Sequence, residues 1–148
     1  MTWFFAARSA VIAFRLSTQK RVARVSKAQI VSIVDDDASV RVALESLVKS
    51  LGYVAFAFES AEDFLRSPRV DDSACLISDV QMPGMSGLDL QDRLMARGSR
   101  IPIIFITALP EQTTIRSRAE AGGAVACLEK PFTCRTMIDL VRQALAIR

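Results

Sequence analysis

Apolar residues along the chain occur in two alternating patterns, short continuous runs and helically spaced positions. The runs are typical of strands buried on both faces, and they cover residues 30–34, 53–57, 74–78, 101–106 and 124–128. Apolar residues three or four positions apart predict helices over residues 40–51, 60–66, 86–98, 111–121 and from 133 onwards. Because strands that alternate with helices need right-handed crossovers, the pattern predicts an α/β fold with a five-stranded parallel sheet and helices on both faces.

Capping and breaking residues mark the ends of these helices. Ser60 and Ser86 predict N-caps for the second and third helices, while Gly52 ends the first helix and Pro68 closes the second. The apolar positions of the third helix are predicted at Leu90, Leu94 and Met95. The last helix is predicted to be amphipathic, with its apolar face at Met137, Val141, Ala144 and Leu145.

Residues 1–28 differ in composition from the rest of the chain. They hold six of the nineteen Lys and Arg residues and no acid, so residues 29–148 carry thirteen basic and sixteen acidic residues, a net charge of −3. The apolar run at residues 3–14 is interrupted by Arg8 and is shorter than the roughly 18 residues that a membrane span needs. It also lacks the charged n-region of a secretory signal. We therefore expect residues 1–28 to be a basic extension, disordered or added by a mis-assigned start, with membrane association and partner binding as alternatives, and residues 29–148 to form one domain.

The composition excludes several classes of function. The chain has no histidine, and its three cysteines form no CxxC pair, which excludes zinc fingers, histidine triads and haem ligation by histidine. Cys75 and Cys127 lie inside apolar runs, which favours reduced, packed thiols in a cytoplasmic protein without disulfides. The mildly acidic domain has no basic face with interleaved aromatic residues, so we expect no direct DNA binding.

Polar and charged residues follow four of the five predicted strands. They are Asp35 and Asp36 after the first strand, Asp79 at the end of the third, Thr107 at the end of the fourth and Lys130 just beyond the fifth. In an open parallel sheet, ligands bind beyond the carboxyl ends of the strands. We therefore expect these side chains to share one edge of the sheet and to form one site.

Three carboxylates at one edge repel one another unless one is protonated or a cation lies among them. Mg²⁺ suits such a site, since it takes one or two carboxylates together with phosphate oxygens and waters. We expect Asp36 and Asp79 to be ligands and Asp35 to act directly or through water. An aspartate can also be the nucleophile that forms an acyl phosphate, and Asp79 is best placed for that role. Lys130 and Thr107 would then contact phosphoryl oxygens.

Four short motifs carry a family resemblance. They are IVDDD at 33–37, SDVQMPGMSG at 78–87, TA at 107–108 and EKPF at 129–132. With these motifs at the predicted strand ends, residues 29–148 resemble the receiver domain of bacterial two-component response regulators. The resemblance implies a flavodoxin-like sheet of strand order 2-1-3-4-5 and a cis peptide bond between Lys130 and Pro131.

The resemblance also implies a role for each site residue. Asp79 would be the phosphoacceptor, Asp35 and Asp36 the acidic pair, and Thr107 and Lys130 the switch residues. The Mg²⁺ contacts would be Asp35, Asp36, Asp79 and the backbone carbonyl of Gln81.

Members of this family take phosphate from a histidine kinase or a histidine phosphotransfer protein, and the resemblance implies such a partner here. The chain ends after its last predicted helix, so we expect a stand-alone receiver that signals through contact with an unknown downstream protein, or through a homodimer formed by the last helices. Such a protein would be cytoplasmic and would have no membrane span. It would be no enzyme beyond its own phosphorylation and dephosphorylation.

Several positions leave alternatives open. Cys127 occupies the place of an aromatic residue that rotates on activation in the family, so we expect the switch to depend on Thr107 and a loop shift instead. A degenerate receiver that acts without phosphorylation is one alternative. A haloacid-dehalogenase-like phosphohydrolase is another, although that family has DxD where Gln81 stands at the third position here. An Asp after a strand is also often a turn former or a helix N-cap, which applies to Asp37 and to Asp35.

Overall fold

The computed structural model describes residues 28–108 and 113–147. Its strands are β1 (Ile30–Val34), β2 (Val54–Phe58), β3 (Ser73–Asp79), β4 (Ile103–Thr107) and β5 (Ala126–Glu129). They are all parallel and form one sheet in the order β2-β1-β3-β4-β5. The predicted α/β fold and the implied strand order are confirmed.

The helices in the described residues are α1 (Ala38–Ser50), α2 (Ala61–Arg66), α3 (Arg69–Asp72), α4 (Gly87–Ala96), α5 (Thr113–Ala121) and α6 (Cys134–Ala146). The side chains of Ser60, Ser86 and Thr133 cap α2, α4 and α6 by accepting hydrogen bonds from backbone amides in the first turn. Gly52 has a φ of +88°, which lets the chain turn sharply out of α1 toward β2. The predicted N-caps Ser60 and Ser86 and the predicted helix end at Gly52 are therefore confirmed.

Most boundaries differ from the sequence prediction by one or two residues, and two differences have a clear local cause. Pro68 ends α2 but also begins α3, whose four residues are too few to show helical spacing. Strand β5 begins two residues later than predicted, because the Ala124 amide donates to the Ala119 carbonyl at 3.0 Å and completes the end of α5. Gly123 permits this closure with a φ of +84°.

Part of the predicted chain lies outside the described residues. This applies to residues 1–27 of the predicted extension and to Glu111 and Gln112 at the predicted start of the fourth helix. Within the described ranges, no helix combines the length and the hydrophobicity that crossing a bilayer requires.

Two apolar cores lie on opposite faces of the sheet. The first lies under α1 and α6 and takes from these helices Leu44, Val48, Met137, Val141, Ala144 and Leu145. The second lies under α2, α4 and α5 and takes from them Ala61, Phe64, Leu88, Leu90, Leu94 and Ala119. The predicted face of the last helix is thus buried, whereas Met95 is 51% exposed because it lies about 100° around the helix from Leu94. Since helices cover both faces, the edge formed by the carboxyl ends of the strands is left for a site.

Candidate functional site

Three carboxylates meet at the carboxyl edge of the sheet. Asp35 and Asp36 follow β1, and Asp79 ends β3, the strand that pairs with β1. One carboxylate oxygen from each residue lies within 4.8 Å of the others. Asp35 is fully buried and Asp79 is 6% exposed, whereas Asp36 is exposed to solvent. The site is therefore acidic, mostly buried and open on one side.

Lys130 supplies the positive charge beside these carboxylates. Its Nζ lies 3.3 Å from Asp35 Oδ2 and 3.5 Å from Asp79 Oδ2. The lysine reaches the site from the end of β5, and its backbone amide donates to the carbonyl of Thr107 at 2.8 Å. Its peptide bond to Pro131 is cis, as the resemblance implied.

The surroundings of Asp79 raise the pKa of its carboxyl to about 6, from an ordinary value of 3.8. Burial is the largest cause, and the negative charge of Asp35 adds to it. Lys130 acts in the opposite direction and stabilises the carboxylate, but it does not cancel the other two effects. Binding of a further cation near Asp79, or protonation of its carboxylate, would therefore be favourable.

The backbone around Asp79 is fixed by close contacts. The Ser78 hydroxyl donates to the Asp79 carbonyl at 2.9 Å, and a Cβ at Gly87 would overlap that same oxygen. The Gly87 amide donates to the Val80 carbonyl at 2.8 Å and closes the loop that follows β3. The backbone of Gln81 hydrogen-bonds to the Asp79 carboxylate. Only a glycine at position 87 allows α4 to start this close to the site.

The turn after β1 orients the buried Asp35. The Asp37 amide donates to Asp35 Oδ1 at 2.8 Å, and the Arg41 guanidinium donates to the Asp35 carbonyl at 2.7 Å. Asp37 itself caps α1, because its carboxylate accepts a hydrogen bond from the Ser39 amide at 2.9 Å. The N-cap interpretation of Asp37 is therefore confirmed, and Asp35 both accepts a hydrogen bond in this turn and lies in the carboxylate cluster.

Thr107 ends β4 one residue beyond Ile106, which is the register partner of Asp79. It is 4% exposed. The structure thus brings Thr107 to the same edge of the sheet as Asp35, Asp36, Asp79 and Lys130, as the strand pattern predicts.

Residues 31–142 match the family described as the response regulator receiver domain. The chain belongs to this receiver family. Nodulation protein W of Bradyrhizobium diazoefficiens is 44% identical over 112 residues, which are 76% of this chain and 49% of that protein. The response regulator protein TodT of Pseudomonas putida is 40% identical over 121 residues, which are 82% of this chain and 53% of TodT.

Solved structures agree with the family. The crystal structure of a response regulator receiver protein from Burkholderia phymatum is similar with a TM-score of 0.68 at 40% identity, and the match covers 81% of this chain and 97% of that one. The chain spans about half the length of the curated relatives that it matches. The similarity to these relatives is therefore limited to the matched 112 and 121 residues.

The donor set of the receiver fits a hard divalent cation. Carboxylate oxygens from Asp35, Asp36 and Asp79 converge, and oxygen is the donor that Mg²⁺ takes in proteins. Burial is the largest cause of the raised pKa of Asp79, and the negative charges of Asp35 and Asp36 add to it. A cation at this position would relieve that repulsion.

Cys127, which the resemblance places at an aromatic switch position, lies on β5 opposite Phe105 of β4. It packs against the second core, and burial raises the pKa of its thiol. Cys75 is buried in the first core, where burial raises the pKa of its thiol to about 12. Both residues therefore act as small packing groups, and all three cysteines are free thiols.

Two residues that contact the site region have no local sequence signal. Arg41 binds the Asp35 carbonyl from the first turns of α1 and also lies 3.6 Å from Glu59. Glu62 of α2 accepts a hydrogen bond from the Met85 amide, in the loop that follows Asp79. Nothing in the local pattern marks either residue, because each contact joins elements that are separate along the chain.

Proposed function

We propose that this receiver accepts a phosphoryl group on Asp79 from the phosphohistidine of a histidine kinase or a histidine phosphotransfer protein. The convergence of the Asp35, Asp36 and Asp79 carboxylates with the Lys130 ammonium at one sheet edge carries this proposal. Membership of the receiver family supports it and favours it over a haloacid-dehalogenase-like phosphohydrolase.

The proposed transfer is a simple displacement at phosphorus. A carboxylate oxygen of Asp79 attacks the phosphorus, the new P–O bond forms as the P–N bond to the imidazole breaks, and the imidazole leaves with a proton. Lys130 exchanges its contact with Asp79 Oδ2 for one with a phosphoryl oxygen. The Thr107 hydroxyl donates to another phosphoryl oxygen at the same edge of the sheet.

Asp36, Asp79 and the Gln81 carbonyl would hold Mg²⁺, with Asp35 beside them. When bound, the cation neutralises negative charge on the phosphoryl oxygens and on the carboxylates. The residues of the chain position the carboxylates. The loop after β3 orients Asp79, and the Asp37 amide and Arg41 hold Asp35 in place.

The phosphorylated receiver signals in the cytoplasm through a protein contact and turns over no external substrate beyond its phosphodonor. The contact surface is formed by α5, β5 and α6, which lie at the side of the sheet next to Thr107 and Lys130. A second copy of the chain or a downstream protein would bind there.

The test is phosphorylation by phosphoramidate, whose P–N bond resembles that of phosphohistidine, followed by intact mass measurement. Wild type should gain one phosphoryl group in the presence of Mg²⁺ and none in the presence of EDTA. Asp79→Asn should gain none, while Asp139→Asn, which changes an exposed aspartate of α6, should behave as wild type.

The other outcomes identify the alternatives. A folded wild type that takes up no phosphoryl group would show a receiver that acts without phosphorylation. Sustained hydrolysis of p-nitrophenyl phosphate by wild type would favour a phosphohydrolase. An adduct that persists in Asp79→Asn would place the phosphoacceptor elsewhere in the chain.

A further inference from the structure

The loop of residues 80–86 runs from the phosphoacceptor strand to α4 and includes Gln81. The hydrogen bond from the Gly87 amide to the Val80 carbonyl at 2.8 Å joins the two ends of this loop. The far part of the loop, around Gly84 and Met85, lies between these two ends, and the Met85 side chain packs against the second core.

Glu62 provides a contact to this far part from α2. Its Oε1 accepts a hydrogen bond from the Met85 amide at 2.8 Å, across 23 residues of sequence. Both carboxylate oxygens of Glu62 would lie 3.3 Å from a Cβ at Gly84, whose φ is +77°. The carboxylate therefore sits directly over the turn that Gly84 and Met85 form.

The helix that carries Glu62 is firmly anchored. Its first residue, Ala61, and its central Phe64 are fully buried in the second core. Ser60 caps the helix through a hydrogen bond from the Asp63 amide at 3.1 Å. A charged acceptor on a fixed helix holds a loop amide more strongly than a neutral acceptor on a mobile one.

We propose that Glu62 is a positioning residue for the phosphorylation site. Its carboxylate holds the turn at Gly84 and Met85. The position of this turn then determines where the Gln81 carbonyl lies beside Asp79. This role rests on the proposed function, in which the Gln81 carbonyl contacts Mg²⁺.

Asp63 offers a matched control for the loss of charge. It lies next to Glu62 in the first turn of α2 and is exposed, but its carboxylate accepts from Arg66 at 2.6 Å and does not contact the loop. Glu62→Gln offers a second control, because the amide oxygen can accept the same hydrogen bond without the charge.

The first measurement is hydrogen exchange of the Met85 amide by NMR in the metal-free chain, which does not depend on phosphorylation. Glu62→Ala should speed this exchange by roughly tenfold or more, the effect of losing a hydrogen bond to a charged acceptor. Glu62→Gln should fall between wild type and Glu62→Ala, because a neutral acceptor makes a weaker hydrogen bond, and Asp63→Ala should match wild type.

The second measurement is the Mg²⁺ dissociation constant by titration calorimetry, with the phosphorylation rate at saturating Mg²⁺ measured alongside. Glu62→Ala should weaken Mg²⁺ binding several-fold and should lower the phosphorylation rate, with Glu62→Gln restoring most of both. Gly84→Ala perturbs the same contact from the loop side, since its Cβ would press on the Glu62 carboxylate at a strained φ, and it should weaken Mg²⁺ binding as well.

Several outcomes would overturn the role of Glu62. If Mg²⁺ affinity is unchanged in Glu62→Ala although the Met85 amide exchanges faster, the contact supports the loop but does not position the metal site. Equal losses in Asp63→Ala, or no rescue by Glu62→Gln, would show that net charge and not positioning is responsible. If Glu62→Ala does not fold, unchanged Mg²⁺ binding in Gly84→Ala overturns the role instead. A wild type that binds no Mg²⁺ and takes no phosphoryl group would overturn the proposed function itself, which is a different result.

Discussion

At Asp79, burial and the charge of Asp35 act in the same direction, and both disfavour the carboxylate. Lys130 opposes them at 3.5 Å, yet the pKa of Asp79 still rises to about 6. The ionised residue therefore lowers the stability of the metal-free fold. The same charge that costs stability is what the proposed nucleophile and metal ligand require.

Replacement of this carboxyl should stabilise the protein. A pKa of about 6 against an ordinary 3.8 corresponds to roughly 3 kcal/mol against the ionised form at neutral pH. Because an amide at this position also needs partners, we expect Asp79→Asn to raise the free energy of unfolding by about 1–3 kcal/mol at pH 7.5 in EDTA. Urea unfolding followed by circular dichroism measures this difference.

The sign of the pH dependence follows from the raised pKa. The penalty at Asp79 is complete above about pH 6 and disappears below about pH 3.8, so the advantage of Asp79→Asn should shrink as the pH falls through this window. Asp139→Asn, at an exposed position, should show no such advantage. An Asp79→Asn variant less stable than wild type at pH 7.5 would contradict this account of the site.

Helices α4 and α5 are joined by a buried amide and a pair of surface ion pairs. Gln91 of α4 is 1% exposed, and its Nε2 donates to the Ala119 carbonyl of α5 at 3.1 Å. Arg118 of α5 contacts Asp89 at 3.3 Å and Asp92 at 2.5 Å. A Cβ at Gly122, just past α5, would overlap the Gln91 amide. The absence of a side chain at position 122 is therefore what allows the two helices to pack this way.

Gly122→Ala should accordingly destabilise the receiver. Overlap with the Gln91 amide should lower the free energy of unfolding by about 1–3 kcal/mol, as for other overpacked sites. Gln91→Ala removes the overlapping group, so the double variant should be more stable than the sum of the two single changes predicts. Urea unfolding of the four proteins measures the coupling.

Gly123→Ala is the matched control for that cycle. A Cβ at position 123 meets nothing within 4 Å, so its cost comes from a φ of +84° and not from Gln91. The costs of Gly123→Ala and Gln91→Ala should add. If Gly122→Ala and Gln91→Ala also add, the contact at position 122 does not limit the packing of α4 and α5.

Across the whole molecule, the sheet edge connects the proposed phosphorylation site to α5 and β5. The Lys130 amide donates to the Thr107 carbonyl, so the two proposed switch residues are linked through the backbone. Cys127, where the resemblance predicts an aromatic residue, packs against the second core. With a small thiol in place of that aromatic residue, we expect the switch to depend on Thr107.

Thr107→Ala should therefore separate phosphorylation from its effect. We expect the variant to take a phosphoryl group on Asp79, because the nucleophile and Lys130 remain, but to lose the change in hydrogen exchange that phosphorylation produces in α5 and β5. Hydrogen exchange with mass spectrometry, before and after phosphoramidate, tests this. Thr136→Ala, at an exposed position of α6, should respond as wild type. An unchanged response in Thr107→Ala would show that the signal takes another route.

The sequence by itself determined the elements and the identity of most site residues. The apolar runs, helical spacing and capping residues act locally, so they located β1 and the N-caps Ser60 and Ser86. The strand ends then located Asp35, Asp36, Asp79, Thr107 and Lys130, because parallel strands present their carboxyl ends at one edge. Short motifs at those ends sufficed for the family resemblance.

Only the tertiary structure decided which atoms meet. Lys130 contacts Asp35 across 95 residues, and Glu62 contacts Met85 across 23 residues, so neither contact follows from local periodicity. The pKa of Asp79 likewise depends on burial and on neighbours from β1 and β5, which exist only in the folded chain. Local patterns specify elements, whereas distances between side chains are set when those elements pack.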